Sequence, residues 1–401
     1  MWIKHYNWFI VITHVNCCIS ILYLKKNKLR VVVLGAGFGG LEIAATLSER
    51  MGDHLDLTLI DRNESFFLGF NKLDVMFGRR SAKSVKHAYK KVKKPGVRFL
   101  RETITAIDPV TRRVTTDQDI HDSDVLVIAL GADYDIGATP GLAEGGNEFY
   151  SFEGAKQVRE ILPKFRRGNV IVGVTGFPFK CPPAPSEVAL LLHDYLTRKG
   201  IRQDCHISLV VPFEMPIPPS YGTSKALLGA FQKRGIEYIP EMMVGSIDPV
   251  HQIAELDDGN EIPFDLFLGI PEHKVPKVVA ESGLLFDEWI PVDRKNLKTR
   301  FPNVYAIGDV TSVGAPKAGL FAKGAARTAA ESIIAEYKGI GYADSYDGAG
   351  SCYVELGEGL VARADVDFFS HPSPTGTHMQ GSKALANEKR MIEKQMLARW
   401  F

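Results

Sequence analysis

The run LRVVVLGAGFGGLEIAATLSER, beginning at Leu29, constrains the fold more than any other part of the chain. Apolar residues lead into Gly35, Ala36, Gly37, Phe38, Gly39 and Gly40, and helically spaced apolar residues follow, so the spacing predicts strand, tight turn and helix. In such a turn Gly35 permits the sharp bend, Gly37 lets backbone approach a pyrophosphate, and Gly40 lets the helix pack close to the strand. The first amides of the helix would then face the phosphates. Twenty-one residues beyond Gly40 the run LDLTLID ends at Asp61, where an acid can accept hydrogen bonds from an adenosine ribose. Phe38, Gly39, Arg62 and Ile104 complete the candidate cradle on this side. A glycine turn that serves packing alone is the plainer alternative, and the strand, the helix and the placed acid together weigh against it.

At 401 residues the chain is long enough for two domains with separate cores. Its 45% apolar and 24% charged residues, with 37 glycines, describe a folded protein with many tight turns. A net charge of +1 gives no support to nucleic-acid binding. The five cysteines, Cys17, Cys18, Cys181, Cys205 and Cys352, are too few and too scattered for a disulfide scaffold, and none forms a C-x-x-C metal pair, so no metal is expected. Any bond among them would be catalytic rather than structural. The window Asn7 to Leu24 is mostly apolar and is followed by Lys25, Lys26, Lys28 and Arg30. It reads either as a membrane anchor or as an unstructured leader, with no cleavage site of small residues.

Two later segments select the dinucleotide. SDVLVIALGADYD carries a buried strand ending in Gly131 and Ala132, and RFPNVYAIGDVT carries another ending in Gly308 and Asp309. Lys317, Ala318 and Gly319 then open a predicted helix whose positive end favours an anionic cofactor. With the glycine loop these segments resemble the three-part signature of two-dinucleotide-domain flavoproteins. The resemblance implies an α/β fold of two Rossmann-like, three-layer ββα domains, the second inserted in the first, with FAD held by the glycine loop and its ribityl chain met by Asp309. A surface turn acid or helix cap is the plainer alternative for Asp309, and a solvated lysine for Lys317. The expected divisions are a leader or anchor to 28, the FAD-binding domain over 29–150 and 286–340, the second nucleotide-type domain over 151–285, and a C-terminal strand and helix region over 341–401.

The second domain repeats the order strand, helix, strand in NVIVGV, SEVALLLHDYLTRKG and CHISLVVP, and a three-strand excursion and return follows. Its first loop, GFPFKCPPAPSE, should be glycine-rich if it is to seat NAD(P)H. Instead Phe177, Pro178, Phe179, Pro182, Pro183 and Pro185 make it bulky and poor in N–H donors. Electrons are therefore expected to enter from something smaller than a nicotinamide dinucleotide.

FPFKCPPAPSE, together with the second cysteine in GAGSCYVELGEGLVARADVDFF, is similar to the sulfide:quinone oxidoreductase and flavocytochrome c sulfide dehydrogenase group. The resemblance extends from about Leu29 to Phe401. It implies that Cys181 and Cys352 meet at the flavin as a redox-active disulfide, that the substrate is sulfide or a related small sulfur species, and that a quinone or a haem protein accepts the electrons. Many sulfide:quinone oxidoreductases carry a third cysteine before the second domain, where this chain reads EFYSFEGAKQ. Two small buried apolar thiols are the plainer alternative for the pair. Glu187 matches a family glutamate that could move protons, and equally suits a helix dipole partner. Lys180 would favour a thiolate if it turns inward, and Lys317 joins Cys181, Cys352 and Glu187 as a catalytic candidate. Cys205 is assigned to packing, and His193 and His273 to satisfied structural roles. An NADH:quinone-type reductase and a flavin-binding protein without turnover remain the alternatives. The C-terminal stretch places Leu385, Met391, Ile392, Met396, Leu397 and Trp400 along one side of a basic helix. That helix would lie peripherally on an acidic membrane surface, or dock on the protein or on a second copy in a homo-oligomer.

Overall fold

The computed structural model describes residues 8–13, 20–25, 28–341 and 345–401. The strand Leu29–Leu34 is central in a five-stranded, wholly parallel sheet ordered Val304–Ala306, Val125–Ile128, Leu29–Leu34, Leu55–Asp61, Val97–Arg101. Val31 to Leu34 are buried without alternation, as expected of a parallel strand covered on both faces. On one face the helices Phe38–Met51 and Gly319–Lys338 lie together through small residues, Ala44 and Ala45 in one cluster with Ala325, Ala326 and Ala329. On the other, Leu34, Ile60 and Ile128 meet Ile107 and Val114 of a three-stranded antiparallel sheet. This is the expected ββα layering.

The chain leaves after the second of these layers and builds a second parallel sheet, ordered Ile236–Ile239, Cys205–Val210, Gly168–Val174, Leu266–Ile270. The helix Ala184–Lys199 covers one face, and the antiparallel strands Val244–Asp248, Ile253–Leu256 and Glu261–Pro263 cover the other. The return of Val304–Ala306 to the first sheet makes the second an insertion. In each sheet the strand order reverses beside one central strand, Leu29–Leu34 in the first and Gly168–Val174 in the second. The loops that leave these two strands therefore lie at topological switch points, where open parallel sheets bind ligands. They are the glycine loop and the Cys181 loop.

At the C-terminus the strands Ala349–Gly357 and Leu360–Asp367 pair antiparallel, with Cys352 opposite Ala364. The helix Lys383–Trp400 then docks on the protein, which decides against the membrane-lying reading of its apolar side. Leu385, Met396 and Trp400 are buried, and only Met391 of the expected face is largely exposed. Trp400 stands edge-on to Phe38 and Phe66, each 5.6 Å between ring centroids. Its Nε1 donates to Oε2 of Glu42 at 2.7 Å, and the other oxygen of that fully buried carboxylate accepts from Arg327 and Arg399. At the other terminus Trp8–Thr13 pairs antiparallel with Ser20–Lys25. The remainder of the expected leader or anchor, including Cys17 and Cys18, lies outside the described residues. No described helix is long and apolar enough to cross a membrane.

The Trp400 anchor gives a stability prediction. Trp400→Ala should lower unfolding free energy by about 3–5 kcal/mol in urea titrations, the range for removing a buried large aromatic. Trp400→Phe should lose about 1–3 kcal/mol, because the Glu42 oxygen is left without its donor.

Candidate active site

The glycine loop adopts the conformation its spacing requires. Gly35 has φ of 93°, and a Cβ there would stand 2.5 Å from the Ala129 carbonyl oxygen. A Cβ on Gly40 would stand 1.8 Å from the Gly35 oxygen, so only glycine allows the helix this close. Gly37 faces open space and caps the helix Phe38–Met51, while Gly39 sits over Ile307. Phe38 is not free: its ring packs against Phe66, Trp400 and the Cα of Gly319. Asp61 accepts the Ala36 N–H on one oxygen, at 2.8 Å, and Asn63 on the other. Its carboxylate thus fixes the loop and keeps lone pairs for a ribose. Arg62 is an exposed side chain 3.9 Å from Asp133, and Ile104 packs with the Leu34 cluster.

Opposite lie Gly131, also left-handed at φ 69° and open, and Ala132. Gly308 and Asp309 form a tight turn above the start of the helix Gly319–Lys338, with Ala318 at its N-cap. Oδ1 of Asp309 is buried with no hydrogen-bond partner among the described residues. Such an orphan acceptor is rare in a folded protein, and the hydroxyls of a ribityl chain are the donors it lacks. Burial raises the Asp309 carboxyl, against the pull of Lys180, Lys317 and Lys72. The open cradle, the two left-handed glycines and this orphan oxygen fit FAD, which supplies two-electron chemistry when bound. Lys317 donates to the Asp309 carbonyl at 2.7 Å and lies over the Trp289 ring. Burial pushes its ammonium down to about 8, so it is a weaker fixed charge than its position at the helix start implied.

The second switch-point loop is filled rather than open. A Cβ on Gly173 would meet the Phe267 ring at 2.8 Å, and one on Gly176 would meet Glu272 at 2.4 Å. Phe179 is buried beside them, and both glycines serve packing. Cys181 follows in the left-handed region, at φ 54°, a conformation a non-glycine residue holds at a cost of about 1–3 kcal/mol. Its amide donates to the Lys317 carbonyl at 2.9 Å, which joins this loop to the helix start of the first sheet. Lys180 turns away from the sulfur, contrary to the inward reading: its ammonium donates to the Ala132 carbonyl at 2.8 Å and covers the Tyr134 ring.

Cys181 and Cys352 are both free and partly exposed, and both pack against the core of the second sheet. Cys352 also touches the cluster of Phe321, Ala364 and Val366 beside the Gly319–Lys338 helix. Each is pushed up to about 12 by burial and then by the Glu187 carboxylate, and a Cys352 thiolate raises Cys181 further. Glu187 is nearly sealed from solvent. It accepts the Glu355 N–H at 2.9 Å and lies 3.6 Å from the ammonium of Lys389, which bonds Glu355 at 2.9 Å. Arg79 closes the chain by binding both Glu355 and Asp74. Burial raises the Glu187 carboxyl against Lys389; for Glu355, Lys389 and Arg79 overcome burial and hold it at about 2. Glu187 is thus more than a helix-start acid: it is a desolvated carboxyl facing a lysine beside two thiols.

The sequence reading missed Lys389, Glu355 and Arg79. Lys389 had one signal, a lysine four residues after Leu385 within the apolar stripe of its helix. Cys205 packs as expected, and His193 is a half-buried residue beside Asp194. His273 departs from its satisfied role: Nδ1 bonds the Pro271 carbonyl, but the buried Nε2 has no partner among the described residues.

A dinucleotide cradle with a thiol pair beside it, on two nested ββα units, defines a flavin-dependent oxidoreductase of the two-dinucleotide-domain class. The chain belongs to the Pyridine nucleotide-disulphide oxidoreductase family, whose match covers residues 29–332, and it is an FAD-dependent enzyme. It is 26% identical to the mitochondrial sulfide:quinone oxidoreductase of Mus musculus, over 90% of this chain and 81% of that protein. A type II NADH:quinone oxidoreductase of Staphylococcus haemolyticus is 28% identical over a shorter stretch, 35% of this chain and 36% of that one. The sulfide:quinone oxidoreductase structure from Aquifex aeolicus shares the fold with a TM-score of 0.82 at 22% identity, over 93% of this chain and 91% of that one.

Two outcomes follow from the electrostatics. Removing the Glu187 charge should lower both thiol pKa values, so Glu187→Gln should speed alkylation of Cys181 and Cys352 at fixed pH, read by peptide mass mapping. Unfolded thiols titrate near 9.0 and these near about 12. The folded state therefore holds protons the unfolded state releases, and the stability this contributes is complete below about pH 9 and lost as pH rises to about 12. Replacing both cysteines by serine should flatten that part of the urea-stability profile of the reduced protein.

Proposed function

We propose that the enzyme oxidises sulfide, or a related small sulfur species, through a Cys181–Cys352 disulfide and passes two electrons by way of FAD to a quinone. One observation carries the reading: two free thiols, contributed by segments 171 residues apart, share the same buried carboxylate, Glu187. The mitochondrial relatives named for sulfide and quinone support the choice of both substrates. The filled proline loop argues against NADH as donor, although NADH:quinone enzymes are also among the relatives.

In the oxidised state hydrosulfide attacks one sulfur of the disulfide. The Cys–Cys bond breaks, a persulfide forms on the attacked cysteine, and the other leaves as a thiolate. Re-forming the Cys181–Cys352 bond then releases one zero-valent sulfur, one proton and two electrons per hydrosulfide. Glu187 would take the proton, with Lys389 steadying the carboxylate; the burial of both and their action on the thiols support this role. The cradle of Gly35, Gly37, Gly40, Asp61, Gly131, Gly308 and Asp309 would hold FAD, which would supply the two-electron chemistry between the thiols and the acceptor.

The acceptor face is assigned to the exposed aromatic surface around Phe177. Phe177 is 57% exposed and leans on Phe213 at 5.9 Å. An apolar rim of this kind suits peripheral contact with a membrane holding the quinone.

Anaerobic titration with sulfide tests the reading. Flavin absorbance should bleach with one equivalent of hydrosulfide, and Cys352→Ser should slow that reduction by at least about a hundredfold, as expected when one member of a covalent pair is removed. Bleaching by NADH but not by sulfide, or an unchanged rate in Cys352→Ser, would contradict it.

A further inference from the structure

The loop that carries Cys181 is attached unevenly. At its start the Thr175 amide donates to the Ile270 carbonyl at 2.9 Å, and the next backbone hydrogen bond is the one from Cys181 to Lys317. Between them, residues 176–180 make no backbone hydrogen bond among the described residues. Phe179 packs its ring against Phe213 and Tyr150, while Phe177 is largely exposed. With the sequence Gly-Phe-Pro-Phe-Lys, this stretch has one polar side chain, so all its polar contact with the rest of the protein passes through the Lys180 ammonium. That ammonium donates to the Ala132 carbonyl at 2.8 Å and lies 4.3 Å from the centroid of the Tyr134 ring.

Both partners of the ammonium are firmly held. Ala132 closes the turn opposite the glycine loop, and three residues earlier the Ala129 amide donates to the Leu34 carbonyl at 2.8 Å. Tyr134 lies in the strand Asp133–Asp135, which pairs antiparallel with Glu272–Lys274 and so joins the outgoing and returning chains between the two units. Its hydroxyl donates to the Tyr150 carbonyl at 2.7 Å. Lys180 therefore ties a loop with few attachments of its own to the wall of the cofactor cradle.

We propose that Lys180 is a positioning residue for the thiol pair: by pinning the loop to the cradle wall, its ammonium holds Cys181 where it can close with Cys352. The assignment rests on the redox-thiol reading above. A disulfide closes only when the two Cα atoms come within about 7 Å, so the balance between dithiol and disulfide measures how often the loop brings Cys181 to that place. Without the tie, residues 176–180 keep apolar packing alone, the sulfur visits more positions, and the effective concentration of one thiol for the other falls. The bond from Cys181 to Lys317 survives, but it fixes only the far end of the loop. In this role Lys180 touches no reacting atom.

The test uses the full-length, FAD-loaded protein, equilibrated without oxygen in mixtures of reduced and oxidised glutathione, quenched with acid and mapped by peptide mass. The share of cross-linked Cys181–Cys352 peptide gives the equilibrium constant for closing the pair. Lys180→Met, of similar length but without the donor, should lower that constant about tenfold, the scale of one hydrogen bond from a charged group. Lys180→Arg, which still carries donors to the Ala132 carbonyl, should restore most of it. A lysine that only stabilised the fold would shift melting and leave the constant alone. An unchanged constant in Lys180→Met at normal FAD content, or a Lys180→Arg constant no higher than that of Lys180→Met, overturns the proposal. If Lys180→Met does not fold, Lys180→Gln, too short to reach the carbonyl, takes its place under the same criteria. A wild-type protein that closes no Cys181–Cys352 bond at any glutathione ratio overturns the redox-thiol reading itself, and this assignment with it.

Discussion

The hydrogen bond from the Cys181 amide to the Lys317 carbonyl is the joint on which the arrangement depends. It ties the switch-point loop of one parallel sheet to the entry of the helix that closes the cofactor cradle on the other. Cys181 makes it from a left-handed backbone that a cysteine does not choose freely, between Lys180 and a pair of prolines that leave the loop few other shapes. The strain is borne because Phe179 is locked in the core on one side and the helix Ala184–Lys199 begins at once on the other. A sulfur is thereby carried from the inserted unit to the edge of the first one.

The electrostatics around that sulfur act in one direction. Burial and Glu187 both favour protonated thiols, so neither cysteine resembles a permanently ionised nucleophile of the helix N-terminus type. A site of this kind holds its sulfur neutral or bonded to its partner and exposes an anion only briefly, which suits a disulfide that opens and closes. The chain from Glu187 through Lys389 and Glu355 to Arg79 and Asp74 draws on the inserted unit, the C-terminal helix, the hairpin and the first unit. Ion pairs buried in this way are costly unless every member is paired, so the network fixes how the four segments meet. The docked Trp400 holds the far end of the same helix.

Much of the architecture was legible in the sequence because glycine positions and apolar runs have few interpretations. Gly35 and Gly40 have contacts that no side chain would fit, and Val31 to Leu34 are buried without alternation as their run implied. The cysteines and the proline loop stood out for the same reason, as residues whose chemistry departs from their surroundings. What escaped was set by tertiary contact. Lys180 adjoins Cys181 in the chain, yet it turns to a carbonyl of the first unit, while Lys389, 208 positions away, supplies the charge near the sulfur. Tyr150 sits in an ordinary aromatic run, and nothing in its neighbours foretells a buried hydroxyl without a partner among the described residues. The C-terminal helix showed its apolar side plainly, but periodicity does not name the surface that covers it.

The account stands on Cys181 and Cys352 being a single redox couple. Non-reducing peptide mapping of the protein after one equivalent of oxidant tests this most directly. A cross-linked Cys181–Cys352 peptide, two hydrogens lighter than the separate pair and released by a dithiol, is the predicted result. Persistence of both thiols as separate free peptides through full oxidation of the protein, with its fold and FAD content intact, would contradict it.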